Sequence, residues 1–180
     1  MQTQIKWTLE DYHRMIDAGI LADRKVELLN GEIIAMAPEG IPHTFGSINL
    51  FKRFSRALGA RAEVRDAHPI ILSDSEPEPD IAVVRGSFED YAHRQPTAKD
   101  VLLIVEVANA TLKKDLTQKR KTYATEGIQE YWVLDLQNSQ LIVLRDPSHG
   151  NYQSEICLTE GTLSPLAFPD IAFSVSQLIP

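Results

Sequence analysis

A single cysteine, Cys157, in 180 residues leaves no internal disulfide framework and no four-thiolate zinc site. Nothing approaches 18 consecutive apolar residues, so no hydrophobic spanning helix is expected, and Met1 to Trp7 carry no basic-then-apolar leader pattern. Basic residues are the scarcer charge. Eighteen Lys and Arg against 25 Asp and Glu give a formal charge of -7, which argues against coating nucleic acid or anionic membrane by overall charge. Gly-x-Ser-x-Gly, His-Glu-x-x-His and a glycine-rich phosphate cradle are all missing. The histidines (His13, His43, His68, His93, His149) are scattered, with no pair at zinc-ligand spacing. Asn109-Ala110-Thr111 fits a glycosylation sequon, but without a secretory leader it reads as chance. With 43% apolar and 24% charged residues, the chain has ordinary globular composition and the length of one domain. The expectation is a single cytoplasmic domain over residues 1–180.

The order of elements predicts an α+β fold. Thr8 can cap a helix to Asp17, with Asp11 three residues on and Gly19 just past its end. Lys25 to Leu29 and Glu32 to Met36 flank Asn30-Gly31, a strong hairpin signal because both turn residues tolerate positive φ. Pro42 opens a second helix whose apolar stripe is expected to run through Ile41, Phe45, Ile48, Phe51, Phe54 and Leu58. Arg61 to Leu72 reads as strand, Ser73 to Pro79 as an acidic turn, and Asp80 to Val84 as strand. Val101 to Val107, a helix over 111–126 stopped by Gly127, and Glu130 to Leu136 form a right-handed βαβ unit, which requires parallel pairing. Gln140 to Arg145 follows. Short strands broken by Pro147, Gly150, Gly161 and Pro165 lead to a last helical turn near Ser174 to Leu178. Helices therefore pack on a mixed sheet.

Several polar side chains sit where apolar ones are expected. Glu106 lies inside the strand Leu102 to Ala108, and a buried carboxylate needs a cation, a partner or a raised pKa. Read blandly, it is a structural ion pair near a strand end. Asp80 opens an apolar strand behind two prolines that hold its approach extended. Glu76 and Glu78 share its parity, a concentration of charge that favours a divalent cation, although an exposed acidic loop is the expected fate of those two. At about 100° per residue, Leu112, Leu116, Lys119 and Tyr123 fall on one side of their helix and Lys121 on the solvent side. Lys119 should therefore face the sheet, unless it snorkels or pairs with Asp115. Glu27 alternates with Val26 and Leu28, a pattern that slightly favours a solvent-facing side chain. Two or three carboxylates beside one lysine suit a Mg²⁺ site for phosphodiester cleavage, because Mg²⁺ takes one or two carboxylates plus water and phosphate oxygens.

These residues also carry a resemblance. Glu27-Leu28-Leu29-Asn30-Gly31-Glu32, Pro42-His43, Glu78-Pro79-Asp80-Ile81-Ala82-Val83-Val84, Ile104-Val105-Glu106-Val107, Asp115-Leu116 with Lys119 and Tyr123, and Gly127-Ile128-Gln129-Glu130-Tyr131-Trp132 follow in order. The chain resembles the Uma-type restriction-endonuclease family of the PD-(D/E)XK nuclease superfamily over nearly its whole length. The resemblance implies a restriction-endonuclease-like mixed sheet flanked by helices, with an N-terminal helix and hairpin. It implies Asp80 and Glu106 as metal ligands, with the Val107 carbonyl beside them. Ala108 stands where the superfamily usually keeps its lysine, and Lys119 from the following helix takes that role. Glu27 matches the acidic residue of the N-terminal part. The implied activity is a Mg²⁺-dependent endonuclease acting on DNA, with Mn²⁺ a second ion and a homodimer expected by analogy. The alternative is a catalytically silent module on the same fold that binds DNA or a protein. Lys113, Lys114, Lys119, Arg120 and Lys121, with Arg53, Arg56 and Arg61 as a second group, are the basic face expected to meet DNA despite the net charge.

Overall fold

The computed structural model describes residues 5–180; residues 1–4 of the expected leader-free segment lie outside them. Thr8 caps α1 (Leu9–Asp17) in a reciprocal box with Asp11. The hairpin β1 (Val26–Leu29) and β2 (Glu32–Ala35) turns through Asn30 and Gly31 at φ 50° and 72°. The principal sheet has six strands in the order β3 (Glu63–Asp66), β4 (Ile81–Val84), β5 (Val101–Ala108), β6 (Glu130–Asp135), β7 (Gln140–Ser148) and β8 (Asn151–Leu158). Only β5 and β6 run parallel, as the βαβ reading requires. The chain ends with the short pair β9 (Thr162–Leu163) and β10 (Phe173–Ser174), then α4 (Val175–Leu178). This is the expected α+β architecture, a mixed sheet flanked by helices.

Helices cover both sheet faces, so the central strands are apolar throughout rather than alternating. α2 (Ile41–Leu58) and α4 lie on one face over Val105, Val107, Trp132 and Leu134. The other face packs Ile104, Tyr131 and Ile142 beneath Tyr123 and Ile128. Those two come from α3 and the turn after it. α3 opens as Leu112–Lys114, widens into a π turn at Asp115–Lys119 and closes as Arg120–Thr125. Gly46 lets α2 approach closely: a Cβ there would lie 3.1 Å from Val107 Cγ1. That approach brings the first turn of α2 to the end of β5.

Four local expectations are corrected. The predicted strand 61–72 shrinks to Glu63–Asp66, because residues beyond it bond the loops at Pro77 and Pro96 instead of a ladder. The break expected after Arg145 at Pro147 is absent: Gln140–Ser148 and Asn151–Leu158 form one long hairpin turning at His149-Gly150, both at positive φ, and the expected short strands appear only beyond it. Pro147 fits because β6 pairs with β7 only as far as Arg145, so no ladder partner needs its missing N–H. The α2 stripe fails at its N-terminal end. Phe54 and Leu58 are buried, but Ile41, Phe45 and Ile48 are exposed, and Gly46, Ser47 and Leu50 face the sheet instead. The acidic turn is not an exposed loop. Glu76 N–H bonds the Leu28 carbonyl, Ser75 Oγ accepts from Asn30 N–H, and Glu76 pairs with His13, so the turn is sewn onto the β1–β2 hairpin.

Candidate active site

The site forms where the C-terminal half of β5, the start of β4, the β1–β2 hairpin and α3 converge. Asp80 precedes β4 in the register that sets Ile81 against Val105. Its Oδ2 therefore accepts a 2.6 Å hydrogen bond from Val107 N–H on β5, beside Glu106. Glu106 and Val107 face opposite sides of β5. α3 then returns across the sheet and lays Lys119 over Glu106, with Nζ donating to Oε1 at 2.7 Å. Tyr123, one turn on, donates its hydroxyl to the same oxygen at 2.8 Å. Lys119 is only 3% exposed whereas Lys121 is exposed, as the helical period requires.

Glu27 is a correction. Alternation leaned towards solvent, yet the side chain is fully buried. β1 is covered on both sides: Leu28 packs under Tyr12 and Leu21, while Glu27 meets α3 and the loop at Glu78. Alternation separates wet from dry faces only where one face is wet. Glu27 Oε1 accepts from Lys114 Nζ at 2.8 Å, and its Oε2 lies 3.6 Å from Lys119 Nζ. Among the candidates, Asp80, Glu27, Glu106, Val107 and Lys119 thus come together in space.

Three residues join them that were not chosen from the sequence. Asp115, 2% exposed, lies on the π turn and faces inward with Lys119. The π turn arises because Arg120 N–H reaches back five residues to the Asp115 carbonyl, which also accepts from Tyr131 Oη at 3.1 Å. The apolar period of α3 contained a signal for Asp115, since it stands one i,i+4 step before Lys119. Lys114 is the second cation. His43, in the first turn of α2, holds Nε2 3.2 Å from Asp80 Oδ1 while its buried Nδ1 has no hydrogen-bond partner. Glu78, Asp80, Glu106, Asp115 and both lysines line a small cavity of about 40 Å³ that His43 also borders.

The electrostatics follow from one imbalance. Glu27, Glu78, Asp80, Glu106 and Asp115 are five carboxylates served by two ammonium groups. Burial pushes the Glu106 carboxyl up, Lys119 opposes this, and Asp80 and Asp115 add to the rise. Burial also raises Asp115 against the pull of Lys119, and raises Glu78 with help from Glu27. Burial alone would lower Lys119, but Glu106, Glu27, Asp115 and Asp80 outweigh it and keep the ammonium protonated. The hydrogen bond to Asp80 raises His43 against its own burial. Surplus negative charge of this kind is relieved by protons or by a cation. Among the described residues no three His, Cys, Asp or Glu side chains form a metal cage. Mg²⁺ does not require one, because it commonly binds through one or two carboxylates and keeps several waters. The donor set fits that ion.

Half of the basic face expected from sequence is cancelled, while Lys113, Lys121, Arg53 and Arg56 have no carboxylate partner among the described residues. Lys114 and Lys119 are held by the site carboxylates, Arg120 by Glu155, and Arg61 by Asp170. None of the helices among the described residues is long and apolar enough to cross a membrane.

Comparison with known proteins agrees with this architecture. A putative nuclease belonging to DUF820 from Anabaena variabilis ATCC 29413 superposes with a TM-score of 0.72 at 16% identity, covering 86% of this chain and 89% of that one. The type IIG restriction endonuclease BpuSI matches with a TM-score of 0.41 at 16% identity, over 69% of this chain and 14% of that one. A search of curated proteins gave no match. The first structure shows that the fold is shared with that nuclease. A family model described as "Putative restriction endonuclease" matches residues 9–176, and the chain belongs to that family, Uma2.

Proposed function

We propose that the protein is a Mg²⁺-dependent endonuclease that hydrolyses DNA phosphodiester bonds, with Mn²⁺ able to serve in place of Mg²⁺. The observation that carries the reading is the enclosed surplus of carboxylates around Lys119, with Asp80 and Glu106 side by side. Asp80, Glu106 and the Val107 carbonyl would hold the ion. Bound there, it would supply an activated water and offset charge on the phosphate. Lys119 keeps its ammonium protonated amid these carboxylates and is suited to orient the water or meet the phosphate oxygen. Glu27 positions Lys119 and Lys114, and His43 steadies Asp80 through Nε2. A homodimer would bring two such sites to the two strands of a duplex, and the cytoplasm is the compartment the reading assigns.

The test is cleavage of supercoiled DNA with added Mg²⁺. Asp80→Asn, Glu106→Gln and Lys119→Ala should each abolish it with circular dichroism unchanged. Metal-dependent cleavage that survives in the double carboxylate variant would overturn the assignment. A second reading, a silent nuclease-fold module binding DNA or a protein, is favoured by one observation. Glu106 is already bonded by both Lys119 and Tyr123. Calorimetric titration with Mg²⁺ separates the two: heat that disappears in Asp80→Asn supports the nuclease, and no carboxylate-dependent heat supports the silent module.

A further inference from the structure

In a chain of net charge -7, the 18-residue helix α2 contains no Asp or Glu but has Lys52, Arg53 and Arg56. Its sheet-facing side is spent on Gly46, Ser47, Leu50, Phe54 and Leu58. At about 100° per residue the opposite, outer side reads Ile41, Phe45, Ile48, Lys52 and Arg56 along one line. The first half of that line is apolar and open: Ile41 is 86%, Phe45 62% and Ile48 42% exposed. The second half is basic and borders a groove of about 620 Å³ walled on its other side by Ala172 and Phe173.

Arg14, Arg61, Arg94, Arg120 and Arg145 are each matched to a carboxylate. Like Arg24, Arg65, Arg85, Lys99, Lys113 and Lys121, the three cations of α2 make no ion pair among the described residues, but they are gathered within five positions of one helix. Arg53 is held by neutral oxygens, Asn49 Oδ1 at 2.9 Å and Gln177 Oε1 at 3.0 Å, which fixes its place and leaves its charge uncancelled. The helix is also anchored at the carboxylate site, where His43 meets Asp80. From His43 to Lys52 and to Arg56 is about 13 and 20 Å along the axis at 1.5 Å per residue. One DNA strand presents a phosphate about every 3.4 Å of duplex axis, so that axial separation alone spans about four and six phosphates.

We infer that the outer face of α2 is the track for a DNA strand whose reacting phosphate lies at the carboxylates. Lys52 and Arg56 contact its backbone, and Phe45 with Ile41 and Ile48 meets deoxyribose surfaces next to the site. This rests on the nuclease reading and adds its DNA-binding surface. It explains why an aromatic and two branched aliphatic side chains stay open beside a charged centre, since deoxyribose faces are apolar and are met whatever the sequence. A two-fold dimer through this face would set its basic charges against one another, whereas a polyanion meets them with opposite charge, which selects DNA over a second copy.

The experiment is binding of a fluorescent DNA duplex to the full chain in Ca²⁺ buffer, between about 50 and 200 mM salt. Lys52→Ala/Arg56→Ala should lower the slope of log affinity against log salt by about 1.8, since each phosphate contact contributes about 0.9. Arg61→Ala and Arg120→Ala, whose charges are already cancelled by carboxylates, should leave it unchanged. Phe45→Ala should weaken binding about tenfold at constant slope. The track is overturned if the double variant keeps the wild-type slope, or if the wild-type chain binds no duplex at the lowest salt. Sedimentation that shows a wild-type dimer split by Phe45→Ser, with DNA binding untouched, would give this face to a second copy and also overturn it. Cleavage with Mg²⁺ is scored separately. Carboxylate-dependent cleavage without any contribution from α2 refutes the track alone. Binding that depends on α2, with cleavage indifferent to Asp80 and Glu106, supports the track and refutes the nuclease assignment.

Discussion

Two carboxylates are buried in neighbouring apolar strands, Glu106 in β5 and Glu130 at the start of β6, and their surroundings differ in one respect. Glu130 Oε1 accepts from Arg145 Nε and Nη2 at 2.8 and 2.5 Å and from Trp132 Nε1 at 2.9 Å, while Oε2 accepts from Leu166 N–H at 2.7 Å. One guanidinium balances one carboxylate, and neutral donors complete the set. Glu106 is just as enclosed, but Asp80, Asp115 and Glu27 crowd the same lysine. Burial of a charge therefore does not by itself distinguish the two places; surplus charge does. The protein accepts the imbalance at one end of the sheet and avoids it at the other.

The strongest challenge to this contrast removes the cation at each place. Lys119→Ala leaves several buried carboxylates without their shared partner and should cost about 3–5 kcal/mol in urea unfolding. Lys119→Ala combined with Glu106→Gln should recover a large part of that loss, whereas additive losses in the cycle would break the coupling argued for the site. Arg145→Ala strips Glu130 of its charge partner but leaves the donors from Trp132 and Leu166. It should cost about 1.5–3 kcal/mol, measured in the same way, with Mg²⁺-dependent cleavage retained.

Neutralising the carboxylates sharpens the comparison further. Glu130→Gln removes a matched charge and should destabilise by about 1.5–3 kcal/mol. Glu106→Gln reduces a surplus and should change stability by less than about 1 kcal/mol, while cleavage is lost. A larger loss for Glu106→Gln than for Glu130→Gln would contradict the surplus-charge account.

A smaller effect is expected with pH. The folded Glu106 pKa is raised above its ordinary value of 4.5, so the folded state binds more protons than the unfolded one. Stability then falls as pH rises above that value. The raised His43 acts with the same sign above its ordinary 6.5, and Lys119 stays protonated throughout this range. The urea midpoint should therefore be lower near pH 8 than near pH 5, and Glu106→Gln should make that decline shallower. An unchanged slope would remove Glu106 from the account. The smallest effect belongs to Lys121→Ala, an exposed position, which should alter stability by no more than about 0.5 kcal/mol.

Much of this was legible in the sequence where a local pattern had a single physical solution. The capped first helix, the Asn30-Gly31 hairpin, the parallel β5–α3–β6 unit and the inward Lys119 followed from capping, turn chemistry and periodicity. The exposed end of α2 was misread because apolar spacing identifies a face but not its partner: Gly46 and Ser47 line the close approach to β5, and the larger apolar side chains turn outward. Glu76 and Glu78 were misread for the opposite reason, since an acidic proline-rich turn gives no local sign that Ser75 and the Glu76 backbone bind a hairpin 45 residues away.

By itself the sequence determined the order of elements, the strand that buries Glu106, the helix side of Lys119 and the family resemblance. Those depend on interactions within one or two turns or strands. The tertiary structure decided which charges meet. Glu27, Lys114, His43 and Asp115 acquire their roles because four separate elements close around one end of β5. It also decided that Lys114, Lys119 and Arg120 on α3 meet carboxylates, whereas Lys52, Arg53 and Arg56 on α2 do not. A side chain's charge is written in its residue type, but whether that charge is cancelled depends on the distant partners that folding brings within reach.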